Sequence, residues 1–155
     1  MKFGIFYEHQ LPKPWEEHSE YQLIQNSLAQ IELADQLGYD YAWEVEHHFL
    51  EEYSHSSAPE VFLGAASQRT KNIRLGHGII QTTTNQPHRV AERVATLELL
   101  SKGHVEFGMG EGAGPAELHP FGTQVRSKRE RWVAAIEAII PMFTSTNWEY
   151  HGEFF

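Results

Sequence analysis

The feature that most constrains this chain is an apolar strand-like run followed by a helical stretch, a pattern that repeats four times. The runs begin near residues 3, 40, 73 and 104. Helices of this length between buried strands require parallel pairing and right-handed crossovers. A (β/α)8 TIM barrel uses about 31 residues per unit, so four units predict an α/β fold that forms half of such a barrel. A small doubly wound open sheet is the alternative, and the spacing does not separate the two.

Residue patterns predict the position of each element. Apolar runs predict strands over 3–7, 41–49, 73–81 and 104–109, and helical periodicity predicts helices over 21–37, 57–68, 87–100 and 127–141. The second and fourth helices are each expected to begin at a capping box, Ser57 with Glu60 and Ser127 with Glu130. Pro141 is expected to bend or end the last helix. Residues 110–126 are rich in Gly, Pro and Glu and are predicted to form a long loop.

The composition narrows the class of protein. The 155 residues carry a formal net charge of −9 and no cysteine, and they are enough for one domain, 1–155. The acidity argues against nucleic acid and anionic membrane surfaces as partners. The lack of cysteine excludes disulfides and thiol catalysis. No signal peptide fits and no apolar run approaches the ~20 residues of a membrane span, so a cytoplasmic protein is expected.

The strongest functional pattern follows the second predicted strand, where Glu46, His47 and His48 stand in a row. The carboxyl ends of parallel strands are where α/β proteins build their sites. An imidazole titrates near neutrality and is suited to proton transfer. A metal-dependent TIM-barrel hydrolase with these three residues as ligands is an alternative. Adjacent residues point in different directions, so it would need a further ligand such as His9 or His77.

The segment Glu46-His47-His48 resembles the bacterial luciferase-like flavin-dependent monooxygenases. Residues 85–93 (NQPHRVAER), followed by LLSKG, and residues 73–78 (IRLGHG) are similar to two other segments of that family. The chain departs from the family pattern at Gln86, where His is usual, and at His104, where Arg is common. Family members are about twice as long, so the chain resembles the first four βα units, the N-terminal half of the barrel.

The resemblance implies an activity, cofactors and partners. It implies a flavin-dependent monooxygenase that uses reduced FMN and O2 to oxygenate a small organic substrate, with a flavin reductase as a possible partner. Deazaflavin F420 is the less favoured cofactor. Because an isolated half-barrel exposes two strand edges, the chain is expected to form a homo-oligomer or to pair with a C-terminal half. A non-catalytic half-barrel that binds flavin or a protein partner is the alternative.

The resemblance also implies roles for individual residues. His47 and His48 would be the catalytic histidines, with His47 as general acid or base and His48 as its neighbour or support. Glu46 would lie at the flavin or orient an imidazole. The remaining histidines considered are expected to be surface residues or structural residues with satisfied hydrogen bonds: His77, His88, His104, His119 and His151.

Four further residues are expected at the cofactor. The resemblance places a non-proline cis peptide at or next to Gly78–Ile79, with Ile79 against one face of the flavin ring. Gly110 would leave room beside the reactive part of that ring. Glu111 stands where the family often has an arginine, and a carboxylate cannot pair with a phosphate. Glu111 is therefore expected to face a flavin donor, a substrate donor or a neighbouring arginine.

Overall fold

The computed structural model describes all 155 residues and contains one parallel sheet. Its strands are β1 (Gly4–Tyr7), β2 (Tyr41–Glu44), β3 (Arg74–Gln81) and β4 (Val105–Gly110). They pair in parallel in the sequential order β1-β2-β3-β4. A doubly wound sheet reverses its direction of growth at a switch point. The sequential order therefore confirms four consecutive βα units of a barrel and rejects the doubly wound alternative.

Five helices connect and follow the strands: α1 (Ser19–Gln36), α2 (Pro59–Ser67), α3 (Pro87–Leu100), α4 (Pro115–Leu118) and α5 (Lys128–Met142). The four long helices were expected. Helix α4 and a 3-10 turn over His119–Phe121 lie inside residues 110–126, and a second 3-10 turn covers Val125–Ser127. The prediction of one long loop there was therefore wrong. Pro141 lies in the last turn of α5, which ends one residue later, as expected. None of these helices is both long and apolar enough to cross a membrane.

Both predicted capping boxes are wrong. Helix α2 has Ala58 at its N-cap, one residue after Ser57, and no side chain caps it. Pro59 starts this helix instead, since it lacks the N–H that a cap would satisfy. Ser127 is the N-cap residue of α5, but its hydroxyl donates to the carbonyl of Gln124, 3.3 Å away. The preceding 3-10 turn brings that carbonyl within reach and diverts the hydroxyl from the helix.

The core lies between the sheet and its helices. One cluster joins α1, α2 and the strands through residues such as Ile31, Leu63 and Leu75, which are almost fully buried. A second cluster joins α3 and α5 to β3 and β4 through Val90, Ile139 and their neighbours. Side chains alternate between the two faces of a strand, so only the helix-facing half of each strand contributes to this core.

The face of the sheet that points away from the helices is called the open face below, and it is apolar. Phe6 is exposed there, and a Cβ atom added to Gly76 would collide with the ring of Trp43. The pairing of β3 with β4 shifts register between His77 and Ile80. As a result Ile80 joins the core, whereas the preceding residue turns to the open face, where the strand ends carry the candidate site.

Candidate active site

The sheet ends earlier in β2 than predicted. The apolar run suggested a strand over 41–49, but β2 stops at Glu44. Beyond it the N–H of His47 donates to the carbonyl of Ser56, 2.8 Å away. The N–H of Val45 still donates to Tyr7 of β1, but at His47 the backbone pairs with the returning loop. Glu46 and His47 then lie at the end of β3.

Glu46 fastens this turn to β3. Its carboxylate oxygen Oε2 accepts a hydrogen bond from the backbone N–H of Gln81 (2.9 Å), and Oε1 accepts one from the side chain of Asn85 (3.0 Å). The Gln81 side chain donates in return to the backbone carbonyl of Glu46, at 2.8 Å. Glu46 and Gln81 are both buried. These contacts fix Glu46 in one orientation, with its carboxylate held by donors of the protein.

His47 lies between two carboxylates. Its Nδ1 is 2.8 Å from Oε1 of Glu117, and its Nε2 is 3.5 Å from Oε2 of Glu8. A carboxylate only accepts, so the short contact assigns a proton to Nδ1. The ring of Tyr53 packs edge-on against the imidazole, with ring centroids 5.4 Å apart. The orientation of His47 is thereby fixed, and Nε2 is left for proton exchange.

Glu117 is the functional residue that the sequence reasoning missed. It is buried in α4 and accepts hydrogen bonds from His47 Nδ1, from the N–H of His48 (3.0 Å) and from Gln81 Nε2 (3.1 Å). Burial opposes its ionisation, but these three donors outweigh burial and hold the pKa of Glu117 below its usual value. It is therefore a fixed anion beside His47. The pair Gly114-Pro115, a helix-start signal, could have identified α4.

The open face carries a cavity of about 270 Å³ at the ends of β2, β3 and β4. Small molecules usually bind in cavities of ~300–1,000 Å³, so this one is near the lower limit. Most of the residues that the resemblance implied for the site line it. These are Glu46, His47, Gly78, Ile79, Gly110 and Glu111, together with Val45, Gln81, Gly112 and Ala113. The structure thus brings six of the seven predicted residues to one place, while their individual roles stay predictions.

His48, the seventh, supports the site from the side. Its Nε2 is 3.0 Å from Oε1 of Glu46, and its ring packs edge-to-face on Phe121 at 4.8 Å. Its backbone N–H also donates to Glu117. His48 thus joins the two carboxylates that hold the site, and a catalytic role for its ring stays a prediction.

The cavity floor is made of backbone. The Gly78–Ile79 peptide bond is cis, as expected. A Cβ atom at Gly110 would lie 2.5 Å from Cδ1 of Ile79, and one at Gly112 would lie 2.8 Å from the side chain of Gln81. Gly112 also has φ +75°, which disfavours other residues. These two glycines therefore let the side chains of Ile79 and Gln81 pack directly on the backbone, and the room expected beside Gly110 is occupied by Ile79.

This floor fits the ring of a flavin but not its phosphate. A planar ring can lie on a glycine-lined surface, where side chains would obstruct it. No lysine or arginine is among the residues that line the cavity. Glu111 approaches Lys128, with 3.6 Å between Oε1 and Nζ, so its partner is a lysine and not an arginine. Lys128 also donates to the carbonyls of Gly112 and Ala113.

The prediction for His77 was wrong. It is neither on the surface nor satisfied, because it is fully buried and neither ring nitrogen has a hydrogen-bond partner. Burial lowers the pKa of His77 to about 4, which the charge of Glu46 opposes only in part. Its side chain faces the helices, against Phe107. The other four histidines of that set are exposed or half-buried, as expected: His88, His104, His119 and His151.

A second buried polar cluster lies behind the site. Glu44 is buried, and burial raises its pKa although His9 and Ser56 oppose this. His9 Nδ1 lies 2.9 Å from Oε1 of Glu44, at an angle that does not make a hydrogen bond. The hydroxyl of Ser56 reaches both Oε1 of Glu44 and the carbonyl of Val45. The sequence analysis did not identify this cluster, which holds the loop that pairs with His47.

The geometry does not favour the metal-hydrolase alternative. His48 contacts Glu46, whereas His47 points away from both to Glu117, so the three candidate ligands do not converge on one point. His77, a further ligand that this alternative could use, lies on the helix-facing side of the sheet. Nowhere in the chain do three His, Asp or Glu side chains come close enough to share a metal ion.

Comparisons with known proteins agree with this architecture. The model of the luciferase-like monooxygenase family matches residues 1–155. The 4-hydroxyprotoasukamycin monooxygenase of Streptomyces nodosus subsp. asukaensis is 34% identical over 76% of this chain and 31% of its own length. Limonene 1,2-monooxygenase of Rhodococcus erythropolis is 33% identical over 75% of this chain and 30% of its own.

Solved structures show the same relationship. Monooxygenase RslO1 of Streptomyces bottropensis superposes on the whole chain with a TM-score of 0.93 and 32% identity, and the match covers 46% of that protein. One structural neighbour, 18% identical, is in complex with FMN, and one curated relative, 30% identical, is described as F420-dependent. The chain spans about a third of the length of the curated relatives described above. From its fold, its site and these matches, the chain belongs to the luciferase-like monooxygenase family of oxidoreductases.

Proposed function

We propose that the whole protein is a flavin-dependent monooxygenase that uses reduced FMN and O2 to oxygenate a small organic substrate. In this proposal the chain supplies the acid–base half of the active site. The observation that carries it is His47, which lines the cavity and is held by the buried anion Glu117 at 2.8 Å. A group positioned in this way is suited to proton transfer.

The residues of the chain have separate tasks. Glu117 orients His47 and stabilises its ring when it carries a second proton. Nε2 of His47 then gives or takes a proton at the reacting group. Glu46 and Gln81 hold the loop so that His47 keeps this position, through the hydrogen bonds described above.

FMN, when bound, supplies the oxygen chemistry that no protein side chain can supply. The floor around Gly78, Ile79 and Gly110 would orient its ring and exclude water from one side. The relatives that are 32–34% identical to the chain are named monooxygenases, whereas the F420-dependent relative is named a dehydrogenase, and this supports a monooxygenase. The phosphate of the cofactor would be bound by residues other than those that line this cavity.

The partners follow from the same proposal. A flavin reductase would supply reduced FMN, and the exposed edges of β1 and β4 would be covered by a C-terminal half-barrel or by a second copy of the chain. Light scattering of the purified protein measures whether the strand edges are covered by a further half-barrel. A monodisperse half-barrel monomer would contradict this part of the proposal. Cytoplasmic localisation stays a prediction from the sequence.

The test uses the protein expressed from its complete gene. FMN and F420 are titrated separately and binding is followed by visible absorbance. Oxygen consumption is then measured with chemically reduced FMN and a panel of apolar and polar substrates. Substrate-dependent oxygen uptake with a hydroxylated or epoxidised product is expected. Binding of F420 without FMN, together with hydride transfer that needs no oxygen, would replace the monooxygenase by an F420-dependent dehydrogenase.

A further inference from the structure

The two carboxylates on either side of His47 differ in character. Glu117 is buried, holds three hydrogen bonds and lies 2.8 Å from Nδ1. Glu8 has a side chain that is 25% exposed, and its Oε2 lies 3.5 Å from Nε2. Glu117 is thus fixed by three donors, all at its Oε1, whereas Glu8 faces the ring nitrogen that is free for chemistry.

Glu8 has an unused acceptor. Its Oε2 is buried and has no hydrogen-bond partner. An unpaired buried acceptor is unfavourable, because it has lost water without gaining a donor. Nε2 of His47 is just beyond hydrogen-bond length, since N–H···O bonds span about 2.7–3.2 Å. A small rotation of the Glu8 side chain closes this gap whenever Nε2 carries a proton.

The surroundings of Glu8 leave His47 as its partner. Glu44, from β2, also interacts with Glu8, whose charge raises the pKa of Glu44. His9 Nδ1 lies 2.9 Å from Glu44, and Glu117 lies on the far side of the imidazole. Of these groups, only His47 offers Glu8 a proton to share.

We propose that Glu8 is the proton-exchange partner of His47 and connects its Nε2 to solvent. In one direction the N–H bond at Nε2 breaks, an O–H bond forms at Oε2 of Glu8, and Glu8 then releases the proton to water. In the other direction Glu8 takes a proton from water and restores it to Nε2. Glu8 acts through His47, so it is a positioning residue and not a catalytic one.

The role of Glu8 in the reaction rests on the proposed function. The exchange of a proton between Glu8 and His47 does not. An active site that excludes water still has to exchange protons with the solvent in each cycle. Glu117 is unsuited to this because it is buried and lies at Nδ1, on the other side of the imidazole from Nε2. One carboxylate oxygen of Glu8 is buried near the His47 ring, whereas 25% of the Glu8 side chain is exposed to solvent.

The first experiment needs no activity. In the protein expressed from its complete gene and labelled with ¹⁵N-histidine, without added cofactor, the ring resonances of His47 are titrated in the wild type and in Glu8→Gln. The titration midpoint of His47 is expected to fall by roughly one pH unit in the variant, because a close negative charge is lost. Glu51→Gln is the control, since Glu51 is exposed and pairs with Lys13. An unchanged midpoint in Glu8→Gln would overturn the proposal.

The second experiment measures turnover of the protein expressed from its complete gene. Glu8→Ala is expected to lose roughly 10–100-fold in rate, with a flatter pH profile and little change in cofactor affinity. Added formate is expected to restore part of the rate in proportion to its concentration, whereas Glu8→Asp keeps most of it. A loss that formate does not rescue would make Glu8 a structural residue and would overturn the proposal.

The two experiments separate the two hypotheses. If the wild type shows no oxygen-dependent turnover, the proposed function fails. The titration of His47 then still decides whether Glu8 exchanges protons with it, because that measurement requires neither cofactor nor substrate.

Discussion

His47 and His77 are imidazoles on neighbouring strand segments with opposite surroundings. His47 lies at a cavity and has a carboxylate near each ring nitrogen. His77 is fully buried, and neither of its ring nitrogens has a partner. The same side chain is therefore prepared for proton transfer in one place and kept neutral in the other.

The difference teaches that burial alone does not make a histidine functional. Burial removes the charged form, so His77 stays unprotonated at neutral pH. His47 is only partly buried, and Glu117 supplies the fixed negative charge that an imidazolium needs. The following predictions would sharpen or break this distinction, from the largest expected effect to the smallest.

Replacement of His47 should have the largest effect. His47→Ala is expected to lower the turnover of the protein expressed from its complete gene by about 10²–10⁴-fold, the range for a removed acid–base group. FMN affinity should change little, because His47 lies at the edge of the glycine-lined floor. Stopped-flow kinetics with reduced flavin measures the first quantity and absorbance titration the second. Turnover at the wild-type rate would show that His47 is structural.

His77 should make the protein sensitive to acid. Its pKa of about 4 in the folded chain is below the value of ~6.5 expected in the unfolded chain. The unfolded chain therefore binds a proton that the folded chain does not. The free energy of unfolding should be complete above pH ~6.5 and should fall towards pH ~4 by a total on the order of 3 kcal/mol.

Urea denaturation at several pH values measures this loss. His77→Leu, which cannot titrate, should remove most of the slope between neutral pH and pH ~5, whereas His151→Gln, at an exposed position, should leave it unchanged. If His77→Leu keeps the slope of the wild type, other groups cause the sensitivity to acid.

Glu117→Gln should have an intermediate effect on catalysis. It keeps the shape of the side chain but removes the charge that holds His47, and a hydrogen bond to a charged group contributes about 1.5–3 kcal/mol. A loss of roughly 10–100-fold in turnover is expected, with the largest deficit where His47 must carry two protons. The pH–rate profile is the measurement, and an unchanged profile would separate Glu117 from the proton chemistry.

His48→Gln should have the smallest effect. An amide can still donate to Glu46, so only the packing on Phe121 and part of one hydrogen bond are lost. A reduction in turnover of no more than about tenfold is expected. A loss as large as that of His47→Ala would give the ring of His48 a direct catalytic role.

The sequence predicted the barrel units well because hydrophobic periodicity is a local signal. Strands expected near residues 3, 40, 73 and 104 begin at Gly4, Tyr41, Arg74 and Val105. The length of β2 was not predicted, because most residues from Tyr41 to Val45 favour a strand and no glycine or proline marks its end. Beyond it, the backbone of His47 pairs with Ser56 in the returning loop, a contact that no local pattern gives.

The candidate site was predictable only where a motif carried it. Glu46 and His47 were found by the resemblance, but Glu117 lies 70 residues away from His47 and in a segment without periodicity. The prediction for His77 was wrong, although the side of the sheet on which it lies could have been predicted. His77 is an even number of positions from Ile73 and Leu75, and side chains at that spacing lie on one face of a strand. Its lack of partners, by contrast, depends on packing that no local pattern encodes.

The position of the Ser56 hydroxyl bears on whether Glu44 carries a proton. It contacts both Glu44 and the carbonyl of Val45, yet a hydroxyl has a single hydrogen and can donate to only one acceptor at a time. Both contacts are satisfied together when Glu44 itself holds a proton and donates it to Ser56. Burial raises the pKa of Glu44 and so shifts it in the direction of that state, whereas His9 and Ser56 oppose the shift. Without that proton, one of the two oxygens that face Ser56 lacks its hydrogen at any moment.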